Sequence, residues 1–151
     1  MRDAFGGTFM IKLMLIFLAI YIAFIAVALN YAKAFRVKNK IIDIIEQNEG
    51  MEESDFDNTS GANNSGVTGL INGYLGDISY FVNLDDDDKK GRGVCFDKGF
   101  CILEFKPTYE VELDTKYYKV TTFVRIEFPF FDLDFNIPIQ GETRKIERIN
   151  T

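Results

Sequence analysis

An uninterrupted apolar stretch near the N-terminus constrains this chain more than any other feature. Residues 13–29 read LMLIFLAIYIAFIAVAL, without a charge, a proline or a glycine, and Phe9, Met10 and Ile11 extend the stretch past the single charge of Lys12. About 20 apolar residues, rising about 1.5 Å each, cross a hydrocarbon core of about 30 Å, and a lysine near one end can reach the headgroups. A cleaved signal peptide has a shorter apolar region and a small-residue cleavage site after it. The sequence therefore predicts one retained membrane span.

The chain beyond the span predicts that the same helix continues into water. Residues 30–49 contain neither glycine nor proline, and Gly50 is a natural stop just beyond a helix. A helix over residues 9–49 would be about 60 Å long, about twice the thickness of the hydrocarbon core. Its apolar residues recur every three or four positions and include Val37, Ile41, Ile44 and Ile45. This apolar stripe needs a partner, which is either the chain's own C-terminal domain or a neighbouring subunit.

The remaining sequence predicts a linker followed by a small β-rich domain. Residues 50–66 read GMEESDFDNTSGANNSG, an acidic segment rich in Ser, Asn and Gly that is typical of a linker. Residues 67–80 predict a short helix or turn segment that three glycines weaken. The domain is expected to span residues 67–151. These are only about 85 residues, a size at which a small core is marginal by itself.

Alternation of side-chain types predicts antiparallel strands in this domain. The clearest pattern covers residues 118–128, with the even-numbered residues on one face and the mostly polar odd-numbered residues on the other, Phe123 being the exception. A second pattern covers residues 131–139, where Pro129 and Pro138 indicate a bend or a sheet edge. A third covers residues 109–113 and leads into a predicted hairpin turn at residues 114–116. An antiparallel meander is the economical topology, and the fold class is α+β.

Two cysteines flank a predicted tight turn. Residues 97–99 read DKG, which is typical of a three-residue hairpin loop with glycine in the left-handed position. In that hairpin Phe96 faces Phe100 and Cys95 faces Cys101, and side chains opposite each other in an antiparallel pair come within disulfide range. We therefore predict a Cys95–Cys101 disulfide in an exported domain. The alternative is a pair of reduced cysteines buried as small apolar residues.

The composition favours a protein that works through its surfaces. The chain has no histidine, which removes the most common general base and a frequent zinc ligand, and its net charge of −6 argues against nucleic acid binding. The acidic run at residues 85–88 lacks the glycine and the distal glutamate of an EF-hand and is expected to be a solvated loop. The sequence contains no phosphate-binding loop, nucleophile elbow or metal-ligand motif. We expect no enzymatic activity, no cofactor or metal, and no small-molecule substrate.

The order of segments resembles the layout of type IV pilin-like proteins. A short N-terminal segment ending in Gly6 and Gly7 precedes an apolar span, an extended helix and a distal β domain. Residues 124–131 (VRIEFPFF) and 137–147 (IPIQGETRKIE) resemble the ending of TadE-like minor pseudopilins of tight-adherence (Tad, or Flp) pilus systems. The resemblance implies a non-catalytic subunit of a pilus or related secretion machine, anchored in the lipid bilayer. It also implies assembly through the N-terminal helix with other pilin-like subunits or pilus assembly proteins.

The same resemblance implies processing by a prepilin peptidase. Residues 1–8 are then leader-like, and cleavage after Gly7 leaves Thr8 as the first residue. Lys12 occupies the fifth position of that mature chain, where pilins generally carry a glutamate that pairs with a neighbour's terminal amine. Lys12 and the apolar stripe are therefore the residues expected to act in helix packing.

Two opposing signals bear on the side of the membrane on which the β domain lies. Four basic residues follow the span, which by the positive-inside rule favours a cytoplasmic domain: Lys33, Arg36, Lys38 and Lys40. The cysteine hairpin and the Asn/Ser-rich linker favour an extracytoplasmic domain, which is the prediction. Two alternatives stay open: a single-pass anchored module that binds an extracytoplasmic partner, and an accessory subunit of a membrane complex with a cytoplasmic domain.

Overall fold

The chain forms one long helix followed by a small antiparallel sheet, which confirms the α+β class. The computed structural model describes residues 2–56, 66–106, 114–128 and 133–148. Its elements are helix α1 (Arg2–Gln47), the 3₁₀ turn η1 (Glu53–Phe56), helices α2 (Gly66–Asp77) and α3 (Asp86–Lys89), and strands β1 (Val94–Phe96), β2 (Phe100–Phe105), β3 (Asp114–Phe128), β4 (Leu133–Glu142) and β5 (Ile146–Arg148). The predicted short helix after the linker is α2. Most of the predicted linker, the predicted strand at 109–113 and Pro129 lie outside the described residues.

Helix α1 begins earlier than predicted and ends two residues earlier. It starts at Arg2, so the described residues of the leader-like segment 1–8 are helical. At the other end Glu49 takes the left-handed conformation (φ 56°), and the N–H of Gly50 donates to the carbonyl of Ile45 at 2.9 Å, as in a Schellman motif. Glu49 thus occupies the first position beyond the C-cap of the helix, and Gly50, the next residue, has a positive φ of its own (104°). A Cβ on Gly50 would lie 3.0 Å from the hydroxyl oxygen of Tyr118, so the glycine allows a close approach.

The described strands pair in antiparallel fashion, and β1 to β4 follow one another across the sheet. The predicted meander is therefore confirmed. The predicted hairpin turn at residues 114–116 is wrong, because these residues are the first three of β3 and pair with residues 146–148 of β5. A short polar stretch at the end of a strand resembles a turn in sequence. The pairing that makes it a strand is with residues about 30 positions later, which the local pattern does not show.

Strand β4 pairs only with β3 among the described strands, which explains its proline. Pro138 lies opposite Phe123. The N–H and the carbonyl of Phe123 both bond to the hydroxyl of Tyr80, so Phe123 and Pro138 form a non-hydrogen-bonded pair. The missing N–H of the proline therefore costs no bond in the sheet, and the predicted edge position of Pro138 is confirmed.

The second half of α1 lies on one face of the sheet and supplies part of its core. The hydroxyl of Thr122 donates to the carbonyl of Ala34 at 3.1 Å. A Cβ on Gly141 would lie 2.9 Å from Cδ1 of Ile42, so this glycine lets α1 approach β4 closely. Helix α2 packs against α1. Fully buried residues of this core include Val37, Ile41, Ile45, Ile71, Leu75, Phe100 and Val120.

The sheet face turned away from α1 is buried at its centre as well. The predicted alternation along β3 places Thr121 and Phe123 on this face, and both are 1% exposed. The guanidinium carbon of Arg92 lies 5.3 Å from the centre of the Phe123 ring, so the segment before β1 covers this part of the sheet. Arg125, two residues further along, is exposed. The odd-numbered face is therefore half-buried at Tyr117 and Lys119, buried at its centre and exposed at Arg125.

Candidate functional site

The apolar N-terminal half of α1 is largely uncovered in the described part of the chain, although Val27 packs against the domain core and Lys33 bonds to Ser79. Every side chain from residue 6 to residue 33 is exposed or half-buried, and Phe17 and Phe24 are 64% and 71% exposed. The first buried residue of α1 is Ala34. We call residues 6–33 the bare segment. Water-soluble domains rarely leave such a contiguous apolar surface uncovered, and α1 is long and apolar enough to cross a membrane.

The residues predicted for leader processing lie at the start of the bare segment. Gly6, Gly7 and Thr8 are consecutive helical residues, and apart from the adjacent residues and the nearby backbone of the helix no described atom lies within 4 Å of the place a Cβ would take on either glycine. Lys12 follows Thr8 by four residues, so the two share one face of α1. The structure therefore brings these four residues together on one exposed end of the helix. Their roles in processing and packing stay predictions.

The apolar stripe in the second half of α1 has its partner inside the chain. Val37, Ile41 and Ile45 are fully buried and Ile44 is 8% exposed, in one core with the sheet residues. The sequence left two possible partners for this stripe, and in the structure the stripe packs against the chain's own C-terminal domain. The helix packing expected of these four residues is therefore packing within the chain, and a role in assembly with other subunits stays a prediction.

Three of the four basic residues after the span interact with the protein itself. Lys33 donates to the carbonyl of Ser79 at 3.2 Å, and Lys40 pairs with Asp43 at 2.9 Å. The ammonium group of Lys38, a residue only 8% exposed, lies 4.2 Å from the centre of the Phe35 ring. Lys33 is therefore held by the domain, whereas Lys38 and Lys40 interact with neighbouring residues of α1 itself.

The predicted disulfide is confirmed. Cys95 and Cys101 are bonded, with their Cα atoms 4.0 Å apart and six residues apart in sequence. They lie opposite each other in the β1–β2 hairpin, and Gly99 has the predicted left-handed conformation (φ 88°). A Cβ on Gly99 would also lie 2.4 Å from the carbonyl oxygen of Val82, so only glycine fits there. The disulfide closes the hairpin on the face opposite α1.

Tyr80 occupies a position that the sequence analysis missed. Its hydroxyl accepts from the N–H of Phe123 at 3.1 Å, and the carbonyls of Phe123 and Gly99 lie 2.9 and 3.3 Å from it as acceptors. The hydroxyl thus takes the place of a residue preceding β2, which begins at Phe100 opposite Thr122. Burial in this site raises the pKa of Tyr80 to about 12, although the backbone hydrogen bond to Phe123 opposes the shift. No local pattern marks this tyrosine, since its partners lie far along the chain.

The acidic run at residues 85–88 contributes to one helical turn, α3, and is not the predicted loop. The N–H of Asp85 donates to the carboxylate of Asp88 at 3.3 Å, which supports the turn. Asp86 and Asp87 pair with lysines that follow them, and the run is mostly exposed, as expected. Over the described residues no group of three or more acidic, cysteine or histidine side chains could hold a metal ion.

Comparison with protein-family models, with curated proteins and with solved structures finds no match to this chain. The arrangement of α1 and the sheet is therefore the basis for the functional proposal.

Proposed function

We propose that this chain is a single-pass, membrane-anchored, non-catalytic subunit that assembles through its N-terminal helix, in the manner of TadE-like minor pseudopilins of a Tad pilus or a related secretion machine. The observation that carries the proposal is the division of α1 into two halves. The N-terminal half is apolar and bare, and the C-terminal half belongs to the core of the domain. A subunit of this kind packs into an assembly through one half of a helix while the other half holds its folded domain.

The unbroken helix supports a rigid connection between the two halves. Helix α1 has 46 residues and is about 69 Å long. The bare segment accounts for about 42 Å of this length, which exceeds the hydrocarbon thickness of about 30 Å. Because Val37, Ile41 and Ile45 are fully buried, the domain cannot turn about the helix without opening its core. Packing of the bare segment therefore sets the orientation of the domain.

The bare segment is also the part of α1 that remains available to other subunits. Helices in lipid associate through close packing, which small side chains allow, and Ala19 and Ala23 offer this on one face. Lys12 lies exposed near the start of the segment, where its ammonium group needs lipid headgroups or an anionic group on a neighbour. The partners we propose are therefore the lipid bilayer and other pilin-like helices.

The disulfide supports placing the sheet domain on the extracytoplasmic side, because disulfides persist mainly in oxidising compartments. The basic residues after the span favour the opposite orientation by the positive-inside rule, but Lys33 and Lys40 each bond to an oxygen atom of the chain itself. Asp86→Cys introduces a thiol at an exposed position. We expect a membrane-impermeant maleimide to label it in intact cells. Labelling only after lysis would place the domain in the cytoplasm.

Cysteine crosslinking along the bare segment tests assembly. Single cysteines at residues 18–25 of the full chain, in cell membranes under mild oxidation, should give dimers that recur about every 3.6 residues, since one helix face packs against a neighbour. The native cysteines pair with each other and do not compete. Leu70→Cys, at an exposed position on α2, is the matched control and should stay monomeric. Absence of dimers at every position, or equal amounts at all of them, would refute assembly through α1.

A further inference from the structure

Exposed apolar side chains outside α1 are concentrated at one end of the sheet domain. In the described part of the chain the exposed large hydrophobic residues outside α1 are Leu70, Phe81, Phe135 and Ile137. Phe81 lines a cleft of about 390 Å³ together with Asn30 and Lys33, so it lies where the bare segment meets the domain. Phe135 and Ile137 belong to β4. We call Phe81, Phe135 and Ile137 the rim.

The contacts of β4 with α1 indicate that the strand runs along the helix. Ile139 lies opposite Thr122, whose hydroxyl donates to the carbonyl of Ala34. Arg144, five residues after Ile139, donates its N–H to Glu46, twelve residues after Ala34. These five residues, of which the last two follow the end of β4 at Glu142, advance at most about 17 Å, and twelve helical residues advance about 18 Å. The strand and the helix are therefore nearly parallel and point in the same direction.

The same spacing places the beginning of β4 beside the apolar span. Phe135 precedes Ile139 by four residues, a distance of about 13 Å that equals the rise of about nine helical residues. Phe135 is therefore level with about Ile25 of α1. By the same measure Leu133, the first residue of β4, is level with about Tyr21.

This level lies within the apolar stretch and not beyond it. The stretch ends at Leu29, and Asn30 is the first polar residue after it. Five to nine helical residues separate Asn30 from the levels reached by β4, a distance of about 7 to 13 Å. Val27, which is half-buried against the domain core, shows that the domain covers α1 inside the apolar stretch. A bilayer that encloses the whole stretch therefore also encloses the beginning of β4.

The two faces of the sheet differ in polarity at this end. On the face toward α1, Phe135 lies opposite Ile126 and Ile137 lies opposite Val124. On the other face Arg125 pairs with Asp134 at 3.0 Å. The apolar face adjoins the bare segment, while the opposite face at this level carries the paired charges of Arg125 and Asp134 and the carboxylate of Asp88, which accepts from the side-chain amide of Asn136. This division suits a surface that lies in the boundary between acyl chains and headgroups.

We propose that the rim is a lipid-binding surface that rests in the interfacial layer of the leaflet on the side of the domain, about 5 to 10 Å into it. The inference rests on the proposed membrane span. Its occupant is lipid and not a protein, because the rim continues the apolar surface of the bare segment at the same level along α1. The domain then lies on the membrane surface, and its orientation relative to the bilayer is fixed at two places.

Single-tryptophan fluorescence tests this proposal, since the chain contains no tryptophan. Phe135→Trp and Phe81→Trp place the fluorophore in the rim, Phe17→Trp places it in the span, and Phe105→Trp is the control at the opposite end of β2 and β3. Each full-length variant is reconstituted into phosphatidylcholine vesicles with and without bromine atoms on the acyl chains. Phe81 is 67% exposed, so its replacement leaves the core intact even if the Phe135 variant folds poorly.

We expect about a two-fold loss of intensity for both rim variants with bromines near the top of the acyl chain, because the rim lies at the depth of those bromines. The Phe105 variant should have the same intensity in both kinds of vesicle. The Phe17 variant should be quenched most by bromines near the chain end. Quenching of Phe17→Trp without quenching of either rim variant would overturn the rim proposal and leave the span intact. Lack of quenching of Phe17→Trp would instead overturn the span.

Discussion

Replacement of Tyr80 by phenylalanine removes one oxygen atom from the centre of the domain. That hydroxyl oxygen accepts from the N–H of Phe123, and the hydroxyl donates to the carbonyl of the same residue, just beyond the first pair of β2 with β3. Tyr80 is 5% exposed and Phe123 is 1% exposed, so water cannot easily replace the hydroxyl. The variant keeps the shape of the ring and leaves two backbone groups of β3 without their partner.

The expected loss follows from the cost of unsatisfied buried groups. A buried donor or acceptor that loses its partner costs about 1 to 3 kcal/mol, so the N–H and carbonyl of Phe123 together predict a loss of about 3 kcal/mol in the free energy of unfolding. In a domain of this size such a loss lowers the melting temperature by about 10 °C or more. Tyr31→Phe is the matched control because its side chain is 52% exposed, and we expect a change within about 0.5 kcal/mol.

The same hydroxyl predicts a pH dependence with a definite sign. The pKa of Tyr80 is about 12 in the folded chain and 10.0 for an ordinary tyrosine, so the folded state holds the proton more tightly. The contribution of the neutral hydroxyl is complete below about pH 10 and is lost as the pH rises toward about 12. At about pH 11 the loss is about 1.4 kcal/mol. Tyr80→Phe lacks this loss, so the gap between wild type and variant should narrow.

Thermal and urea unfolding of the full chain in detergent micelles, followed by circular dichroism, measures both effects. The difference between wild type and Tyr80→Phe should be about 3 kcal/mol near neutral pH and about half of that near pH 11. Other groups titrate in both proteins and cancel in the difference. A variant as stable as the wild type at neutral pH, or a gap that does not change with pH, would refute the assignment of this hydroxyl as a buried partner of β3.

Two further predictions concern the ends of elements. Cys95→Ala combined with Cys101→Ala should lower the free energy of unfolding by about 2 kcal/mol, because the bond closes a short loop in the unfolded chain. A reductant should lower the free energy of unfolding of the wild type by the same amount and leave that of the variant unchanged. Asp55→Ala should cost about 1 to 2 kcal/mol in urea unfolding, because the buried carboxylate accepts from the N–H groups of Glu52 and Thr68 and caps α2. Asp86→Ala, at an exposed position, is its control, and equal losses in the two variants would contradict the capping role.

Local patterns were sufficient for several parts of this fold. The length of the apolar stretch predicts the bare half of α1, and the absence of glycine and proline after it predicts that the helix continues. The turn residues at 97–99 fix the register of the hairpin and hence the contact between Cys95 and Cys101. Each of these features depends on residues that are close in sequence, so the relevant interactions are visible without knowledge of the tertiary structure.

Features that depend on distant residues were missed or misread. The residues at 114–116 resemble a turn, but their pairing with β5 makes them a strand. The odd-numbered face of β3 is polar in part, yet Arg92 covers Phe123 from outside the strand. In both cases the deciding partner lies more than 20 residues away, and no periodicity within the element records it.

The sequence by itself determined that a long helix begins in an apolar segment, that a hairpin is closed by a disulfide, and that antiparallel strands follow. These results depend on periodicity, length and turn chemistry, which act over a few residues. Only the tertiary structure decided which surface the apolar stripe covers, and it placed Val37, Ile41 and Ile45 in the chain's own core. The position of β4 along α1 was likewise decided only by the tertiary structure. It is fixed by contacts between residues far apart in the chain, such as the bond from Thr122, the partner of Ile139 in β4, to Ala34 of α1.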